Sequence, residues 1–295
     1  MNRTRILHST VYRYHEAVAF GRHRLVLRPR EGHDVQLERQ RLTITPEHRI
    51  FWRRDLFGNS VAFVDFLKKS DSLEIHNEVI VVRRELVSSR TLIDFAGVPV
   101  PPVYSPQELP IAEGYLVPVY AEEKRGLKSW LRSLPFARGN QDATALVAAL
   151  SQWIFDNIKY RRREERGVQS PLDTLKLASG SCRDMATLLL ETVKAAGLAA
   201  RFASGYLDSP ASAAGKAATH AWIEVYFPEQ GWCGVDPTLD VTTSDKHILV
   251  GVSWHPRGIM PVSGAYIGDA AAYEKMEVSV KMEKLSAKAA AALHA

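Results

Sequence analysis

Three residues of this 295-residue chain could together carry nucleophilic chemistry: Cys182, His220 and Asp236. Cys182 stands in Gly180-Ser181-Cys182-Arg183-Asp184-Met185-Ala186, where a glycine-ended loop delivers a thiol to the first turn of an amphipathic stretch. Free N–H groups and the dipole at a helix start favour a thiolate over a thiol. His220 lies in Thr219-His220-Ala221-Trp222 and Asp236 in Gly234-Val235-Asp236-Pro237-Thr238. A cysteine, a histidine and an aspartate make a nucleophile, a general base and a group that orients the base. Each also has a plainer use: a small buried thiol, a structural imidazole, a turn initiator. Their combination on suitable elements favours the chemical reading.

Those elements can be read from periodicity. A helix is expected from about Cys182 to Ala196, with Met185, Leu188, Leu189, Thr192 and Val193 as its inward stripe and Gly197 as its stop. A helix over Ala143–Asn157 carries Leu146, Leu150, Trp153 and Ile154 on one face, and a short one starts at Pro171 behind a Ser170 cap. Strands are expected over Ala199–Leu207, Ala221–Phe227 and Trp232–Val235, with Pro228–Gly231 as a tight turn between the last two. His220 then opens one strand and Asp236 ends its antiparallel neighbour, so the two meet at one sheet edge. Asp208–Ala218 reads as a flexible surface loop, and Lys275–Lys281 as a last strand closing the same sheet.

Residues 1–110 read as a β-rich domain. Ile6, His8, Thr10, Tyr12 and Tyr14 alternate, and further strands are expected over Val18–Leu27, Val35–Ile44, Arg49–Arg53, Ser60–Phe66 and Leu73–Val82. Short strands punctuated by turn residues suggest an antiparallel sandwich that supports or docks. Residues 111–140 read as a linker after the proline-rich Val98–Val103, with a helical stretch at Leu127–Leu134. Residues 141–285 form the expected core, and 286–295 an alanine-rich tail, frayed or weakly helical.

Composition excludes several classes. A net charge of +5 is mild, and the Arg161-Arg162-Arg163 run is followed by Glu164-Glu165, so no nucleic-acid face is expected. No apolar run is long enough to span a bilayer, and Met1–His8 lacks a signal-peptide core, so a cytoplasmic protein without a membrane partner is expected. A structural zinc site would want a close cysteine pair, which Cys182 and Cys233 do not form, so neither a metal nor another cofactor is expected. Cys233 reads as a buried thiol, Trp222 and Trp232 as core or cleft walls, and Asp184 as a first-turn acid suited to the helix dipole.

At these motifs the chain resembles the bacterial transglutaminase-like superfamily. Gly180–Asp184 is similar to its nucleophile motif, Thr219–Tyr226 to its histidine strand, and Gly231-Trp232 through Asp236-Pro237-Thr238 to its aspartate strand. The first hundred residues are similar to the β-rich region that precedes this core in many bacterial members. Leu239 departs from the pattern, since relatives often carry asparagine after Asp-Pro-Thr. The resemblance implies an α+β fold: an antiparallel β-sandwich-like N-terminal domain plus a papain-like, transglutaminase-like core. It implies Cys182, His220 and Asp236 as the triad and a thioester acyl-enzyme made from a peptide or protein amide. Hydrolysis is the expected outcome. Glutamine transamidation or other acyl transfer, and a non-catalytic binding module, are the alternatives.

Overall fold

A computed structural model describes residues 2–83, 97–139, 142–163, 167–239, 241–243 and 246–286. The tail from Ala287 and the acids Glu164 and Glu165 lie outside the described residues.

The N-terminal domain is two antiparallel sheets. Its strands are β1 (Asn2–Phe20), β2 (His23–Leu25), β3 (Val35–Thr45), β4 (His48–Arg54), β5 (Ser60–Phe66) and β6 (Ser70–Arg83). The first sheet runs β1-β6-β3 and the second β2-β5-β4. Alternation on β1 buries Thr4, Ile6, His8 and Thr10 on one face. Both sheets bury side chains in one cluster that includes Tyr14, Phe20, Leu25, Val64, Leu73 and Ile75, which makes the pair a sandwich.

Helices follow: α1 (Leu109–Leu116), α2 (Lys124–Ser133) and α3 (Ala143–Asn157). Then come β7 (Lys159–Tyr160), α4 (Pro171–Leu177), β8 (Ser179–Gly180) and α5 (Cys182–Ala195). The sheet of the core combines β9 (Ala200–Leu207), β10 (His220–Phe227), β11 (Gly231–Asp236), β12 (Val241–Thr242) and β13 (His247–Ser253), in the order β12-β11-β10-β9-β13, with α6 (Pro210–Ala213) between β9 and β10. The chain ends in β14 (Val262–Ser263), β15 (Tyr266–Ile267) and β16 (Tyr273–Leu285). None of the described helices is long and apolar enough to cross a membrane.

Helix α5 is the spine of the core. It packs on β9 and β10, and buries Met185, Ala186, Leu188, Leu189, Leu190 and Val193 almost completely. It is more buried than a one-sided stripe requires, and the reason corrects the sequence reading. The stretch taken as a linker folds into α1, which was not expected, and α2, which is the helix expected over Leu127–Leu134, and both pack on α5. Glu191 Oε2 accepts from the Tyr120 N–H at 3.0 Å, and Lys194 Nζ donates to the Val117 carbonyl at 3.1 Å. Burial holds the Lys194 amine down at about 8.

Two further expectations are corrected. The last strand does not close the core sheet. β16 pairs antiparallel with β1 from Arg3 to Tyr14, while β14 pairs β2 and β15 pairs β1. The C-terminal segment therefore completes the N-terminal domain, because the free edge of long β1 offers it a dozen backbone partners. Nor is Asp208–Ala218 merely a surface loop. Ser209 caps α6, Ser212 is buried, and Ala217 bridges to Val280 of β16.

Candidate active site

The position of Cys182 is built by a buried carboxylate. β7 and β8 pair in parallel just before α5. Asp184 Oδ2 then accepts from the Ser181 N–H and the Ser181 hydroxyl, both at 2.8 Å. Its Oδ1 accepts from Arg163 Nη1 at 2.9 Å and the Gln169 N–H at 2.7 Å. This cap fixes the loop and presents Cys182 as the first helical residue. A Cβ on Gly180 would sit 2.8 Å from the Asp184 Cβ, so the approach of loop to cap requires glycine.

His220 opens β10 opposite Gly205 of β9, and Asp236 ends β11 one step beyond the Ile223–Val235 pair. The two side chains are diagonal cross-strand neighbours on one face. His220 Nε2 lies 2.7 Å from Asp236 Oδ2. Asp236 Oδ1 accepts from the Thr238 N–H at 2.9 Å and its hydroxyl at 2.6 Å, the turn expected of Asp-Pro-Thr. The Asp236 side chain is fully enclosed. With Nε2 committed to Asp236, Nδ1 is the ring nitrogen left for the Cys182 thiol, whose charged form His220 favours. Trp222 stacks beside His220, with ring centres 6.3 Å apart.

Charge follows this geometry. Burial pushes the Cys182 thiol up, but the hydrogen bond and charge of His220, with the Arg183 guanidinium, outweigh it and bring the thiol below its ordinary value. Burial opposes a charge on His220, yet the bonds to Asp236 and Cys182 and their charges push it up to about 10. Burial would raise Asp236, but the donors His220, His247 and Thr238 hold it far below the usual carboxylate range. All three directions favour the charged form of each group: thiolate, imidazolium and carboxylate.

The structure thus brings together all three residues singled out in the sequence. It also adds one that was missed. His247, at the start of β13, places Nε2 3.0 Å from Asp236 Oδ2. Only the strand order brings it there; an isolated histidine in His247-Ile248-Leu249-Val250 carries no sequence signal. The ligand atoms of His220, Asp236 and His247 lie within 4.8 Å of one another, close enough for a metal ion to bridge. The short N···O contacts, however, already use these atoms in hydrogen bonds. Cys233 is buried in β11, and burial pushes its thiol up to about 12. Both cysteines are free. Asp184 is a helix cap, and Arg183 reaches Met260 Sδ at 3.1 Å.

Comparison with known proteins agrees with this architecture. Residues 4–82 match the bacterial transglutaminase-like N-terminal region, and residues 132–237 match the transglutaminase-like superfamily. An uncharacterized protein of Mycobacterium leprae is 26% identical over 97% of this chain and 100% of its own length. A protein-glutamine gamma-glutamyltransferase of Pseudomonas aeruginosa is 39% identical over 69 residues, which is 21% of this chain and 10% of that protein. The crystal structure of a candidate cysteine protease from Cytophaga hutchinsonii superposes with a TM-score of 0.71 and 17% identity, covering 97% of this chain and 91% of that one. With the two family models matched in order over residues 4–82 and 132–237, the chain belongs to the transglutaminase-like superfamily.

Proposed function

We propose that the protein is a thiol-dependent amidohydrolase or peptidase acting on peptide or protein amides through Cys182, His220 and Asp236. The observation that carries this reading is the pairing of His220 with the buried Asp236 at 2.7 Å beside the Cys182 thiol at the start of α5, whose charged form His220 favours. The Cys182 sulfur attacks the amide carbonyl carbon, and the oxyanion forms next to the first-turn N–H groups of α5. One such donor is typically worth about 10²–10³ in rate. The His220 imidazolium gives its proton to the leaving amine, the C–N bond breaks, and a thioester remains on Cys182. His220 then takes a proton from water as its oxygen attacks the thioester; the carboxylic acid leaves and the thiolate returns. Asp236 holds the ring and stabilises its charged form throughout.

Transamidation is the second reading, and the short match to the Pseudomonas glutamyltransferase favours it. There an amine replaces water in the second step. Both readings are tested by incubating the protein with glutamine-containing and peptide-amide donors, with and without a primary amine, and following Cys182 by mass spectrometry. A thioester adduct that water resolves, absent in Cys182→Ser, supports hydrolysis. Turnover only with the amine supports transfer. No adduct on any donor, with partner binding unchanged by Cys182→Ala, would identify a binding module.

A further inference from the structure

Asp236 serves two imidazoles. Its Oδ2 accepts from His220 at 2.7 Å and lies 3.0 Å from His247 Nε2. Its Oδ1 is occupied by the two Thr238 donors. Every lone-pair direction of this enclosed carboxylate therefore has a donor. His247 is itself 4% exposed, and its ring meets Trp222 edge-on at 5.2 Å, so its orientation is fixed by packing. The carboxylate's partner must be an N–H, which puts the hydrogen of His247 on Nε2. The two imidazole rings are 6.1 Å apart, and they contact the same oxygen from different strands.

A base that works in acyl transfer must take a proton and then release it to the leaving amine. A carboxylate whose charge is concentrated on one imidazole would hold that proton too firmly. A second donor on the same oxygen draws charge away from the first contact. Thr238 can hold the carboxylate's rotamer from the other oxygen, so orientation alone does not require His247. We propose that His247 is a positioning residue that shares the charge of Asp236 Oδ2 and so limits how tightly Asp236 binds the proton on His220. This inference rests on Cys182, His220 and Asp236 acting as a triad. The titratable and charged groups that meet His247 are Asp236 from β11, His220 from β10 and Arg83 from β6, whose guanidinium meets the His247 carbonyl.

The test is the pH dependence of Cys182 alkylation by iodoacetamide, with Cys233 replaced by alanine. Removing the shared donor in His247→Leu concentrates charge on His220. The thiolate–imidazolium pair then forms more readily, and the alkylation midpoint moves to lower pH by about one unit. His247→Gln, which keeps an N–H donor, returns the midpoint to that of the wild type. A purely structural histidine gives the opposite sign: a loosened cluster moves the midpoint up in His247→Leu, which overturns the proposal, as does a failure of glutamine to restore it. If His247→Leu does not fold, ¹⁵N NMR of the histidine-labelled wild type decides. A hydrogen on His247 Nε2 at neutral pH is expected, and a bare Nε2 refutes the sharing. If the wild-type thiol titrates like a free cysteine, the triad reading fails first, and the two failures are distinguished.

Discussion

Replacing Asp236 by asparagine removes the charge behind His220 while keeping the side chain's size. In the wild type, His220 and Asp236 meet at 2.7 Å in an enclosed site, the arrangement of a strong charge-assisted hydrogen bond. Such a bond contributes about 1.5–3 kcal/mol, so without it the thiolate–imidazolium pair is about 10- to 150-fold less populated. The thiolate is the species that is alkylated. The rate of Cys182 modification by iodoacetamide at pH 6 is therefore expected to fall by at least an order of magnitude in Asp236→Asn. At pH 10 an ordinary thiol is itself largely ionised, so there the two proteins should converge. That convergence separates an electrostatic loss from a folding defect, which lowers the rate at every pH. Asparagine also mismatches the site. Both carboxylate oxygens accept two donors, and an amide group must turn its NH₂ toward one of these pairs. A stability loss of about 1–3 kcal/mol, read from a urea melt, should accompany the change. Equal alkylation rates at pH 6, or a ratio that does not vary with pH in a folded variant, would refute the charge argument.

Three other outcomes follow from the fold. Leu189→Ala opens a cavity in a fully buried position of α5, and chemical denaturation should show a loss of about 2–5 kcal/mol. Gly205→Ala should be far less tolerated than its size suggests. The new Cβ would sit 2.0 Å from the Ile248 carbonyl oxygen and 2.8 Å from the Trp222 ring, so β13 must shift; a thermal melt should drop sharply, and Cys182 alkylation at pH 6 should fall with it. Truncation after Gly268 removes β16 and bares the β1 edge from Arg3 to Tyr14; the shortened chain should aggregate on expression, and a soluble, monomeric product would contradict the pairing.

The local signals in the sequence were those with short range. The Gly180-Ser181-Cys182 string and the three- and four-residue spacing of Met185, Leu188 and Leu189 specified a helix with a thiol at its start, since loop, cap and stripe all lie within a few turns. The tight turn between β10 and β11 fixed their register, and register alone put His220 and Asp236 at one edge. Alternation likewise announced β1 and the sandwich strands. Three features depended on partners distant in the chain. Residues 111–140 look like linker apart from the helix expected at Leu127–Leu134, because α1 gains its stability by covering α5 rather than from its own pattern. β16 could satisfy any free sheet edge, and only the assembled molecule shows that the edge is β1, more than 250 positions earlier. His247 stands in an ordinary apolar strand, and its contact with Asp236 exists because β13 adds to the outer side of β9. The sequence by itself determined the candidate site residues and the elements that carry them, because helix starts and hairpins are local. The tertiary structure decided what surrounds them, because burial, edge pairing and a shared carboxylate arise only when separate segments compete for the same space.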